Sequence, residues 1–229
     1  MKIFVNLLTM SRVLATILLP ILWVFMPPLV TLIFVVSVLL TDFFDGFLAR
    51  KFKVQTLFGC VADQFADKMF GIVVLLIIGH YRPIFYVVAI MEMVIALVNI
   101  LGGVRGATTN SSFLGRVKMW GTGVATTFAL VSIFDKQLYQ MLDYKWIKDA
   151  FQLFWEHEEI LVVGLAFVTI GAQLMVALDY AKNIKKEIKD KKEKIKYDFK
   201  EKDELIKVLF DTKYYLKNKN LPLSKHFLK

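Results

Sequence analysis

The sequence predicts an all-α polytopic membrane protein: six transmembrane helices, an interfacial amphipathic segment before the last of them, and a basic cytoplasmic helix at the C-terminus. Three observations predict it. Hydrophobic residues form 57% and aromatic residues 14% of the 229-residue chain, above the apolar share of an ordinary soluble domain. The apolar residues fall in runs of about twenty, the length that spans a bilayer core as a helix. Charge is segregated as well: of a net charge of +9, residues 182–229 carry +8 and residues 1–181 carry +1. The chain therefore divides into a six-helix membrane domain, 1–181, and a basic cytoplasmic tail, 182–229. The single cysteine, Cys60, excludes an internal disulfide framework and a cysteine-based zinc site, and its place beside Gly59 suits packing between helices.

The first helix is expected from Val5 to Phe25. Arg12 interrupts its apolar run and no small-residue cleavage pattern follows, so it reads as a retained span rather than a signal peptide. Asn6 and Thr9 suit a helix start and Arg12 suits snorkelling, in the plainest reading. Pro27-Pro28 makes a turn, and Leu29 to Lys51 is long enough to cross the membrane. Lys51 and Lys53 lead into a third helix from Leu57 to about Gly79, closed by the polar turn His80-Tyr81-Arg82-Pro83. The fourth, Ile84 to Leu101, carries Glu92 near its middle, where an acid is costly enough to need a partner or a function. A hydrogen bond to a neighbouring helix is the first reading and a role in orienting a site the second. Glycines and small polar residues make 102–111 a loop, and the fifth helix opens with Gly115-Arg116-Val117-Lys118.

Residues 136–160 interleave Lys136, Lys145 and Lys148 with five acids and six aromatics, the pattern of an amphipathic interfacial segment. The sixth helix runs from about Leu161 to Tyr180. In the tail, Ile184, Ile188, Ile195, Phe199, Ile206 and Leu209 are spaced as in a helix on a surface or against a partner. Its lysines suit an anionic lipid surface. They stand among acids with no nucleic-acid motif, so no nucleic-acid partner is expected. The even connections carry Arg50, Lys51, Lys53, Arg105, Arg116 and Lys118, which places them and both termini in the cytoplasm.

Chemistry is concentrated between residues 42 and 67. Asp42, Asp45, Gly46 and Ala49 fall within roughly a 100° arc of one helix, and Thr56, Gly59, Asp63 and Asp67 within a similar arc of the next. Carboxylates on two facing helices can hold hard divalent cations, and a pair of such ions can clamp a diphosphate during in-line displacement. The small residues let a phosphate approach the backbone, and Arg50 supplies a fixed cation. A cation or proton transporter also uses intramembrane acids, but its acids accompany interrupted helices at the midplane rather than glycines, alanine and arginine at helix ends.

The pattern D-x2-D-G-x2-A-R-x8-G-x3-D-x3-D, read from Asp42 to Asp67, resembles the signature of the CDP-alcohol phosphotransferase (CDP-alcohol phosphatidyltransferase) family, with no signature position missing. The likeness extends more weakly over about 1–135. It implies a membrane transferase of phospholipid biosynthesis that moves a phosphatidyl group from CDP-diacylglycerol to an alcohol and releases CMP. It also implies that Asp42, Asp45, Asp63 and Asp67 hold two Mg²⁺ or Mn²⁺ ions, and that Asp67 accepts the acceptor's proton. Asn6, Gly46, Ala49, Arg50, Thr56 and Gly59 would form the donor site, and a homodimer is expected. The Asn6 to Arg12 opening (N-x2-T-x2-R), Glu92 and Leu114 to Lys118 resemble phosphatidylglycerophosphate synthases, which makes glycerol 3-phosphate the expected acceptor and Arg105, Arg116 and Lys118 candidates for its phosphate. Positive-inside charge accounts for those three cations as well. Two departures leave inositol phosphate, another phospholipid or a sugar alcohol open: the group's L-D-P-L-A-D-K is replaced by Val61 to Lys68 without the proline, and Met91 stands where an arginine usually precedes Glu92.

Overall fold

The computed structural model describes residues 2–52, 55–104, 113–141, 145–190, 200–218, 221 and 226–227, with the side chains of 2–9, 28–29, 42–50, 103–104, 135–141, 145–155 and 186–190 outside the description. The described residues form eight helices and no strand. In chain order they are α1 (Lys2–Phe25), α2 (Pro28–Lys51), α3 (Leu57–Tyr81), α4 (Ile84–Val104), α5 (Phe113–Met141), α6 (Lys145–Asp190), α7 (Lys202–Phe210) and α8 (Thr212–Asn218). Three stretches are long and apolar enough to cross a membrane, Ile84–Gly102, Phe113–Phe134 and Glu156–Lys185, and two shorter apolar stretches lie in α1 and α2.

The six long helices pack as a bundle in which α1 contacts α2 and α3, α3 contacts α4, and α6 lies against α4 and α5. Its core interleaves small and large apolar residues, Ala15, Ala89, Ala125, Ala129 and Ala166 beside Leu19, Phe70, Ile78, Phe85 and Val162. Small residues at helix contacts let backbones approach closely. At Gly79 a Cβ would sit 2.7 Å from the Tyr86 ring, so a larger residue there would force that ring to move. Leu14, Ile17, Leu97, Ile100, Phe167, Val168 and Met175 point outward from the bundle, an apolar surface too extensive for a water-exposed monomer.

Local chemistry sets most helix ends. Pro28 opens α2, where proline's missing N–H costs nothing and its fixed φ is already helical. Thr56 caps α3, its hydroxyl accepting from the Gly59 N–H at 3.1 Å. At the other end of α3, Arg82 N–H donates to the Ile78 carbonyl at 2.8 Å, Trp23 Nε1 donates to the Tyr81 hydroxyl at 3.1 Å, and Arg82 pairs with Glu158 of α6.

Three expectations need correction. The fourth helix continues to Val104 through Gly102, which is buried, so packing overrides the glycine signal. The expected interfacial segment is not a separate element: its described parts are the last turns of α5 and the first turns of α6, a helix of 46 residues. At 1.5 Å per residue α6 is about 69 Å long, more than twice the ~30 Å hydrocarbon core. The tail, finally, is not one surface helix. Asp211 ends α7, and its carboxylate accepts from Lys213 N–H at 2.8 Å to start α8. Val208 and Tyr215 are then buried against Leu57 of α3.

Candidate functional site

The site is built on the first half of α3. Thr56 caps the helix and is itself buried, and Gly59 donates to that cap. Asp63 and Asp67 follow one turn apart, so their carboxylates share a face. Across from them α1 brings in Arg12. Its Nη1 donates to Asp63 Oδ1 at 2.9 Å and also to Asp67 Oδ1, so one guanidinium nitrogen joins both acids. The arginine side chain is 3% exposed, whereas those of Asp63 and Asp67 are 37% and 42% exposed. A buried cation thus backs two partly exposed carboxylates. Arg12 does not snorkel; it is held in the bundle, and the Thr16 hydroxyl donates to its carbonyl at 2.8 Å.

The other signature half lies on α2, which is helical through Lys51. Asp42, Asp45, Gly46 and Ala49 share one arc of that backbone. The side chains of Asp42, Asp45 and Arg50, like that of Asn6 on α1, lie outside the described residues. Among the described residues no three potential metal ligands gather. The acid pair that is described offers oxygen donors, the set that hard cations such as Mg²⁺ and Mn²⁺ take.

The three acceptor candidates are not brought together. Arg105 lies outside the described residues. Arg116 is exposed, its guanidinium carbon 6.0 Å from the centre of the Phe113 ring. Lys118 is buried, with its ammonium 2.7 Å from the Glu92 carboxylate. Glu92 also accepts from Gln173 Nε2 at 3.0 Å, and Gln173, fully buried on α6, donates to the Val88 carbonyl at 3.3 Å. The costly intramembrane acid is therefore tied to α5 and α6 at once. Lys68, next in sequence to Asp67, is within electrostatic reach of Glu92 and Lys118, which links this network to the acid pair.

Two features of the site escaped the sequence reading. Arg12 is the first; its place in N-x2-T-x2-R was visible, but its partners were not. The second is the tail's contact with α3 beside Gly59, for which the signal was the apolar spacing that includes Val208 and Leu209; Tyr215 was not picked out.

The similarities to known proteins bear on this constellation. The family model for CDP-alcohol phosphatidyltransferase matches residues 2–170, farther than the signature alone suggests. A Pectobacterium atrosepticum protein named CDP-diacylglycerol–glycerol-3-phosphate 3-phosphatidyltransferase is 33% identical over 117 residues, 51% of this chain and 63% of the relative. A Yersinia enterocolitica protein of the same name is 31% identical over 108 residues, 44% of this chain and 58% of the relative. One from Yersinia pestis is 43% identical over 65 residues, 28% and 34% of the two chains. The chain thus spans less than two thirds of the length of these curated relatives. No solved structure matches it. With the family model covering most of its length and every signature position present, the chain belongs to the CDP-alcohol phosphatidyltransferase family.

Proposed function

We propose that this protein is a phospholipid-synthesising transferase that moves the phosphatidyl group of CDP-diacylglycerol to glycerol 3-phosphate and releases CMP. The observation that carries the reading is the pair Asp63 and Asp67, backed by buried Arg12, inside a complete family signature. The curated relatives named for this activity support the choice of acceptor. Asp42, Asp45, Asp63 and Asp67 would hold two Mg²⁺ or Mn²⁺ ions, which when bound neutralise the diphosphate and the departing CMP.

The chain's own residues do the rest. Arg12 offsets the charge of two neighbouring carboxylates and fixes their rotamers from behind. Thr56 and Gly59 present the capped start of α3 to the donor, with Asn6, Gly46, Ala49 and Arg50 completing its site. The acceptor hydroxyl attacks the β-phosphorus; its proton passes to Asp67, and the bond from that phosphorus to the CMP oxygen breaks. A carboxylate in this setting is a weak base, so Asp67 contributes chiefly by position. Arg105, Arg116 and Lys118 are proposed for the acceptor phosphate, Lys118 on release from Glu92. The enzyme would be a homodimer crossing the cell membrane several times, with its site and both termini cytoplasmic as the positive-inside rule directs.

The test incubates labelled CDP-diacylglycerol with glycerol 3-phosphate, inositol phosphate and a neutral sugar alcohol in turn and identifies the lipid product by chromatography. CMP release with glycerol 3-phosphate alone, abolished by excess EDTA, is expected. Release with a different acceptor would move the assignment, and release in full with EDTA would remove the metal from it.

A further inference from the structure

The tail of this chain packs against the part of α3 that begins the site. Leu57, the first residue of α3, is buried with Val208 of α7 and Tyr215 of α8, and Cys60, Leu209, Tyr214 and Phe227 pack around them. Phe58 meets Phe210 with ring centroids 5.2 Å apart. The Tyr215 hydroxyl is within electrostatic reach of the Cys60 thiol, and Gln64 Nε2 donates to that sulfur at 3.6 Å. These contacts alternate along α3 with the residues assigned to the donor and metals, Thr56, Gly59 and Asp63. Residues 200–227 lie beyond the region matched by the family model, which ends at residue 170, so this clamp is a feature of the chain over and above the shared catalytic fold.

A helix's first turn is its weakest part, because its leading N–H groups lack intrahelical partners. Here the Thr56 cap supplies one such bond, accepting from Gly59 N–H at 3.1 Å. The burial of Leu57, Val208 and Tyr215 adds an apolar lock to that turn, and its Val208 and Tyr215 come from α7 and α8, outside the six-helix bundle.

We propose that α7 and α8 hold the first turn of α3 in the geometry that binds the nucleotide donor, with Val208, Phe210 and Tyr215 as positioning residues. The inference rests on the reading of residues 56–67 as the donor and metal half-site. The tail then acts on donor affinity and leaves the acceptor alone, since the acceptor cations lie on other elements.

The full-length protein in lipid nanodiscs tests this with Val208→Asp, Phe210→Ala and Tyr215→Phe, and with Leu216→Ala on the tail's exposed side as the control. Cys60, the only cysteine, reports the lock through its rate of modification by a soluble maleimide. Val208→Asp is expected to speed that modification about tenfold, as a local opening of the lock requires. The same variant should raise the KM for CDP-diacylglycerol several-fold while the KM for glycerol 3-phosphate stays within twofold. Phe210→Ala should move both readouts in the same direction to a smaller extent, Tyr215→Phe least of the three, and Leu216→Ala neither. Faster modification of Cys60 with an unchanged donor KM overturns the proposal, as does unchanged modification in Val208→Asp. An unmodified chain that releases no CMP from CDP-diacylglycerol would overturn the functional reading instead, and the Cys60 rates would still show whether the lock exists.

Discussion

Arg12 shapes the electrostatics of the acid pair, because one of its nitrogens bridges two like-charged carboxylates one helical turn apart. Arg12→Gln should therefore lower kcat/KM for CMP release roughly thirtyfold, the equivalent of losing about 2 kcal/mol of charge-assisted hydrogen bonding. Arg12→Lys should recover only part of it, the shorter ammonium having fewer donors to divide between two acids. An unchanged rate in Arg12→Gln would make the arginine a packing residue. The sequence shows an arginine at this position, yet its partners lie 51 and 55 residues away, and only the register of α1 against α3 identifies them. Glu92 was legible in the same partial way. A mid-helix acid had to have a partner, but Lys118 and Gln173, 26 and 81 residues on, follow from the packing of three helices. Because one half of a buried pair left alone is worse than neither, Glu92→Leu should cost about 3–5 kcal/mol and Glu92→Leu with Lys118→Leu much less. Thermal unfolding of both in detergent measures the difference.

At the level of elements, the starts expected at Leu29 and Leu57 fall within a residue of those observed, Pro28 for α2 and Leu57 for α3, while the capping role of Thr56 shows only in the structure. The fate of the tail was not legible in the sequence. Its alternating charges look like a solvated helix, and the apolar face that receives it, Leu57 and Phe58, looks like the beginning of a membrane span; neither segment alone says that they meet. The tail also carries its own titrating group. His226 is buried, and this burial pushes its imidazole below the ordinary value; Lys200 acts in the same direction, and a backbone hydrogen bond at Leu221 opposes them. Its Nδ1 has no partner among the described residues. Since the folded tail prefers the neutral ring, its packing is at full strength above the unfolded value of about 6.5 and weakens as pH falls through the lowered folded value. Hydrogen exchange of α7 and α8 should accelerate at pH 5 relative to pH 7.5, and His226→Leu should flatten that dependence. Equal protection at both pH values in the unmodified protein would exclude His226 as the cause.

For the whole molecule, the bundle assigns unequal membrane character to its helices. The long apolar stretches belong to α4, α5 and α6, while α3, which bears Asp63, Asp67 and Lys68, is not among them. The ion pair between α1 and α3 then has a consequence for biosynthesis. Were α1 and α3 both to cross the bilayer, Arg12 would carry a cost there until α3 brought its two acids alongside. Each charge taken alone would oppose insertion by up to about 3 kcal/mol, less near a helix end; delivered together, the arginine offsets part of the cost of the two acids. In that case the arginine would help a helix bearing Asp63, Asp67 and Lys68 to enter. With a glycosylation acceptor placed after α3 in microsomes, Arg12→Leu should lower the fraction of chains in which α3 spans, and adding Asp63→Asn and Asp67→Asn should restore it. A chain that integrates α3 equally well in all three forms would show that this helix enters without its partner.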